Sequence, residues 1–146
     1  MKKSNHYFVL LLTGVVSILL AVSCKKSSSD SSAITVQNLA GTYTLTALTV
    51  TIAPLPPQNI IDSVPACQRD DQYKLNTDLT YDYIDAGIKC TPSGDGTGVW
   101  SLSGNTIVID TTQSTIQKFD GRTLVINTNV NFMGIAATTT ETLTKQ

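Results

Sequence analysis

Thr115-Ile116-Gln117-Lys118-Phe119-Asp120-Gly121-Arg122-Thr123-Leu124-Val125-Ile126-Asn127 is the stretch whose reading decides the fold. Two runs, Thr115 to Phe119 and Arg122 to Asn127, flank Asp120-Gly121, a dipeptide suited to the positive φ angles of a tight hairpin turn. The same grammar repeats upstream. Gly98 to Leu102 and Thr106 to Asp110 flank Ser103-Gly104-Asn105, and side-chain alternation puts Trp100, Leu102, Ile107 and Ile109 on one face. Before them, Gln72 to Leu75 and Thr80 to Ile84 flank the polar turn Asn76-Thr77-Asp78, with Tyr73, Leu75, Tyr81 and Tyr83 in matching phase. A first strand, Thr42 to Ile52, carries Tyr43, Leu45 and Ala47 in one phase, then Leu48, Val50 and Ile52 in the other. That slip predicts a β-bulge at Ala47-Leu48. Ile135 to Leu143 supplies the last strand. Eight short strands joined mostly by tight turns predict an all-β, eight-stranded antiparallel up-and-down barrel.

A short helix over Thr35 to Ala40, closed by Gly41 as its C-terminal cap, precedes the first strand. Between the first two strands, Ala53 to Ala66 holds Pro54, Pro56, Pro57 and Pro65, which deny backbone donors to a sheet and mark a long exposed loop, either a lid or only a connection.

The N-terminus follows different rules. Met1-Lys2-Lys3 is a positive leader, Tyr7 to Val22 is apolar but short for a membrane span, and Leu20-Ala21-Val22-Ser23-Cys24 resembles the lipobox cut by lipoprotein signal peptidase, with Val22 where a small residue is more usual. Residues 1–23 are therefore expected to be a lipoprotein signal peptide and Cys24 the acylated N-terminus. Residues 24–33, rich in Lys and Ser, are expected to form a flexible tether, and residues 34–146 the barrel domain.

From Ser31 onward the chain has six basic against ten acidic side chains, a net charge of −4, which argues against a nucleic-acid partner. The single histidine, His6, falls in the signal. Without imidazole, a Ser-His-Asp or Cys-His arrangement cannot be built in the mature chain, so no catalytic residue is assigned and no enzyme is expected. No metal or other cofactor is assigned either. Asn76, Asp78, Thr80 and Asp82 alternate superficially like a calcium loop but lack its glycine and closing glutamate, and suit a hairpin turn instead. Asp70 and Asp71 point to opposite faces of a strand and are expected to be solvated where the strand begins.

Once Cys24 is acylated two thiols remain, Cys67 before one strand of a hairpin and Cys90 after the other, and in an oxidising compartment an even pair is most simply a disulfide. A two-thiol metal or redox site would lack C-x-x-C spacing and further soft ligands. The aromatics Tyr43, Tyr73, Tyr81, Tyr83 and Trp100 allow two arrangements: they line a cavity for one small ligand, or they fill a barrel whose interior is only just wide enough for side chains.

From Gly41 nearly to the C-terminus the chain resembles the small secreted lipocalin-like domains of bacterial lipoproteins. Gly41-Thr42-Tyr43 looks like the Gly-x-Trp opening of a lipocalin first strand, with Tyr for Trp. Ala66-Cys67 with Asp70-Asp71, Lys89-Cys90, and Gly98-Val99-Trp100-Ser101-Leu102-Ser103-Gly104-Asn105 resemble that family's C-x-x-D-D, K-C and G-x-W-S-L-x-G-N segments. Leu79 stands where the family often has Gly after Asn-x-Asp. The resemblance implies a monomeric, lipid-anchored protein of a Gram-negative cell envelope, and with Lys25 rather than Asp after the acylated cysteine it favours the outer membrane. It implies a small apolar or amphipathic ligand in the lumen. The rival expectation is a structural or interaction module with a solid barrel, meeting an envelope protein or a glycan.

Overall fold

The computed structural model describes residues 30–132 and 134–146. The expected signal peptide and the expected acylation site at Cys24 lie outside these residues.

Helix α1 (Val36–Leu39) leads into β1 (Gly41–Thr51); β2 (Gln58–Asn59), a 3-10 turn (Ile61–Ser63) and α2 (Ala66–Arg69) follow. Then come β3 (Gln72–Leu75), β4 (Thr80–Ile84), β5 (Gly96–Ser103), β6 (Thr106–Ile109), β7 (Thr112–Phe119), β8 (Thr123–Phe132) and β9 (Ile135–Lys145). From β3 to β9 each strand pairs antiparallel with the next. β1 pairs with β3 on one side and with β9 on the other, so eight strands close into a barrel that leaves no long free edge. The ninth strand, β2, is a two-residue addition laid on β1 through Thr49 opposite Asn59 and Val50 opposite Gln58.

Several boundaries differ from the sequence expectation for one physical reason. β7, β8 and β9 extend beyond the expected ends, through Thr112 to Ser114, Thr128 to Asn131 and Thr144-Lys145, where polar residues predominate. No period-two signal survives there, and cross-strand pairing alone keeps the chain extended. The bulge in β1 lies between Leu45 and Ala47, earlier than expected, and it does switch the inward set: Leu48 and Val50 face Glu141 and Thr139 across the ladder. A second bulge, in β7 between Ile116 and Lys118, had no sequence signal. Gly41 does not cap the helix. Ala40 is the C-cap, and Gly41, at φ +149, starts the strand.

The two barrel ends differ. At the base, Thr35 caps α1 by accepting from the Asn38 N–H at 3.2 Å, and the helix drives Leu39 into the lumen, where both Leu39 and Tyr43 are fully buried. Burial of a side chain such as Leu39 is worth about 1.5–3 kcal/mol. Leu75, Trp100, Ile107, Ile116, Phe119, Leu124, Ile126 and Leu143 complete this apolar layer. The Trp100 indole nitrogen donates to the Asn76 carbonyl at 2.9 Å, so its one polar group is satisfied inside the seal.

At the other end, the β3 and β4 flanks are clasped. Cys67 and Cys90 form a disulfide with Cα atoms 5.2 Å apart. Asp71, expected to be solvated, is 1% exposed. It accepts from the Ala86 N–H at 3.1 Å and from the Tyr83 hydroxyl. Asp70 accepts from the Ile88 N–H at 2.8 Å. Asp85, fully buried, accepts from the Cys90 N–H at 3.2 Å and the Gly94 N–H at 3.3 Å. These carboxylates replace water for a loop that would otherwise bury unpaired backbone donors.

Candidate functional site

Strand register determines what faces the lumen above the sealed base. Tyr43 stands opposite Tyr73, Tyr73 opposite Tyr83, and Leu75 opposite Tyr81, so the tyrosines of β1, β3 and β4 share the inward phase. Tyr81 in turn stands opposite Gly98 of β5. A side chain on Gly98 would collide with the Tyr81 ring and the Asp110 carboxylate, so glycine is what allows the ring to lie across β5.

The upper lumen is open. A cavity of about 370 Å³ is walled by Tyr73 and Tyr81, floored by Ile109 and Ile126, and lined with the hydroxyls of Thr111, Thr112, Ser114 and Thr128 and the carboxyl groups of Asp110 and Glu141. Its size falls within the usual range for small-ligand pockets. Directly below lies a second void of about 50 Å³, lined by apolar side chains with Tyr43, Tyr73 and Glu141. Glu141 and Tyr73 touch both spaces and so stand where the polar mouth meets the apolar base. A hollow of about 290 Å³ near the ends of β1, β8 and β9 has no charged lining residue.

Electrostatics at the mouth have one sign. Burial raises the Glu141 carboxyl above its ordinary pKa. Burial also raises Tyr73, and the nearby charges of Glu141 and Asp71 add to this. The Tyr81 hydroxyl donates to Asp110 at 2.9 Å, and that bond is the largest cause of its raised pKa. Asp110 accepts the Val99 N–H at 3.1 Å as well. It sits at φ +52, a conformation aspartate tolerates better than most side chains. The Ser114 and Thr128 hydroxyls are bonded to each other at 2.6 Å.

Of the five aromatic residues singled out in the sequence, only Tyr73 and Tyr81 line the mouth cavity. Tyr43 and Trp100 are buried in the base. Tyr83 belongs to the clasp, with its hydroxyl on Asp71 and its ring edge-on to Tyr73 at 5.0 Å. The interior is therefore filled below, apart from the small void, and hollow above, so each of the two arrangements holds for part of it. No residue from Pro54 to Asp71 lines the mouth cavity, so in this structure the proline-rich segment does not cover it. Sequence reasoning missed Asp110, Ser114, Thr128 and Glu141. Glu141 shares the inward phase of Leu143 and Ala137, as Ser114 shares that of Ile116 and Thr128 that of Ile126, whereas Asp110 left no such signal. Among the described residues, no three His, Cys, Asp or Glu side chains are grouped to hold a metal ion.

Residues 39–126 match the family model of a lipocalin-like domain. No curated protein and no solved structure matches the chain. The match stops before β9, although β9 closes the barrel against β1 and contributes Glu141.

Proposed function

The chain belongs to the lipocalin-like domain family, and from that premise we propose that it is a non-enzymatic binding protein whose barrel takes a small amphipathic molecule through its open end. The single observation that carries this reading is the cavity of about 370 Å³, in which hydroxyl and carboxyl groups stand above an apolar floor. Such a lining suits a ligand with a polar head and an apolar body better than a wholly apolar one. The lining offers no imidazole, thiol or amine for nucleophilic or acid–base work.

The second part of the proposal is attachment to the outer membrane of a Gram-negative envelope through acylated Cys24. The Asp30 carbonyl accepts from the Asn38 side chain at 2.9 Å, which places the start of the described chain at the sealed base. An anchor six residues earlier is within about 20 Å of chain, so the base faces the bilayer and the mouth faces away.

Native mass spectrometry of protein purified from its own host tests the binding reading. A co-purified small molecule that leaves on denaturation is expected; bare protein that also binds no amphipathic probe would overturn it. Labelled fatty acid tests the anchor: label on wild type and none on Cys24→Ser is expected, and label on both would refute it. Leu55 and Ile88, 60% and 61% exposed on loops at the mouth end, favour one competing reading, in which this rim meets another envelope protein or a glycan.

A further inference from the structure

Resting on the reading that the mouth takes a ligand, we infer that the ligand is a cation, an amphipathic amine whose ammonium group is held by Glu141 at the junction of the mouth and the apolar base. Three observations carry the inference together. First, Glu141 points inward: its ladder partners Leu48 and Ile126 are both on the lumen face, and the residue lines both the polar cavity and the apolar void beneath it. Second, among the described residues no side chain or backbone group donates a hydrogen bond to Glu141 and no basic side chain lies within ion-pair distance. Glu141 is half-buried, and a carboxylate that is partly withdrawn from water and has no partner in the protein gains from a cationic ligand. Third, the cavity has no basic lining residue, while Asp110 supplies a second carboxylate and Tyr73 and Tyr81 supply aromatic faces that attract cations. Carboxylate or phosphate ligands would meet only like charge. The burial that raises the Glu141 pKa has the same origin as its need for a partner.

The ligand head is thereby specified as an ammonium donor, and the room for its body is the 370 Å³ cavity with its Ile109 and Ile126 floor. A length-matched series of hexylammonium, hexanol and hexanoate, titrated into the folded protein by calorimetry at neutral pH, reads the preference directly. Hexylammonium should bind about tenfold or more tightly than hexanol, the difference expected when a charged hydrogen bond is gained, and hexanoate should not bind. Glu141→Gln should remove the advantage of the ammonium while leaving hexanol affinity within about twofold, because the amide keeps the shape of the carboxylate. Its melting temperature establishes that it is folded, and the three-probe comparison on wild type stands without it. If hexanol binds as tightly as hexylammonium, the inference fails while the mouth remains a binding site. If no probe binds, both fail. If Glu141→Gln keeps the full ammonium preference, the cation is held elsewhere and the assignment to Glu141 is wrong.

Discussion

The hydroxyl of Tyr43 donates a 2.6 Å hydrogen bond to the carbonyl oxygen of Leu39, joining the first barrel strand to the helix that seals the base. Both residues are fully buried. Lys145 reinforces the joint by donating to the Asn38 carbonyl at 2.8 Å, with its ammonium 5.7 Å from the centre of the Tyr43 ring. Tyr43→Phe keeps the packing and leaves the Leu39 carbonyl without its partner, and it should cost about 1 kcal/mol in urea unfolding. Tyr43→Ala should cost about 3–5 kcal/mol through the cavity it opens. A Phe variant as stable as wild type would show that the bond contributes nothing.

The same residue sets an alkaline limit. Burial pushes the Tyr43 phenol up to about 12 from its ordinary value of 10.0, and Tyr73, Tyr81 and Tyr83 are raised as well. A folded-state pKa above the unfolded one means that the unfolded chain releases its protons first. The stabilising contribution is therefore complete below about pH 10 and is lost as pH rises toward the folded values. Urea midpoints should fall between pH 9 and pH 11, and Tyr43→Phe should fall less steeply. Parallel slopes for the two proteins would contradict the role of Tyr43.

Leu79 occupies the left-handed region at φ +68 and is 40% exposed. Its backbone carbonyl accepts from the Trp100 N–H at 2.8 Å, so the turn cannot relax without disturbing β5. The conformation costs a non-glycine residue about 1–2 kcal/mol, and glycine returns roughly half of that relief as chain entropy. Leu79→Gly should therefore raise stability by about 0.5–1 kcal/mol. A loss of stability would mean that Leu79 packs on the base more than its exposure indicates.

Cys67 and Cys90 are 23 residues apart in the chain. Closing a loop of that length should contribute about 3 kcal/mol by restricting the unfolded chain. The double substitution Cys67→Ser with Cys90→Ser should lower stability by that order. Hydrogen exchange should also quicken at the Ala86 and Ile88 amides, whose acceptors Asp71 and Asp70 lie just beyond Cys67. Unchanged protection there would show that the carboxylates hold the loop unaided.

Local chemistry determined much of this protein from the sequence alone. Asp120-Gly121 specified its hairpin, and apolar alternation specified β3 and β4 to the residue and the approximate place of the other barrel strands. Cysteine parity on either side of one hairpin identified the disulfide pair. Each of these signals lies within a few residues or depends on counting, so a linear reading reaches it. Tertiary structure decided what no local signal carries. Pairing with β9 continued β8 past Asn127 through Thr128 to Asn131, a run with no apolar periodicity. The loop between Asp85 and Gly94 took both Asp70 and Asp71 as hydrogen-bond acceptors and buried Asp71, in a pair that reads as solvated. The split of the aromatics between a sealed base and an open mouth depended on α1 entering one end only, because a side chain's phase tells which way it points but not how much of the lumen its neighbours have already filled.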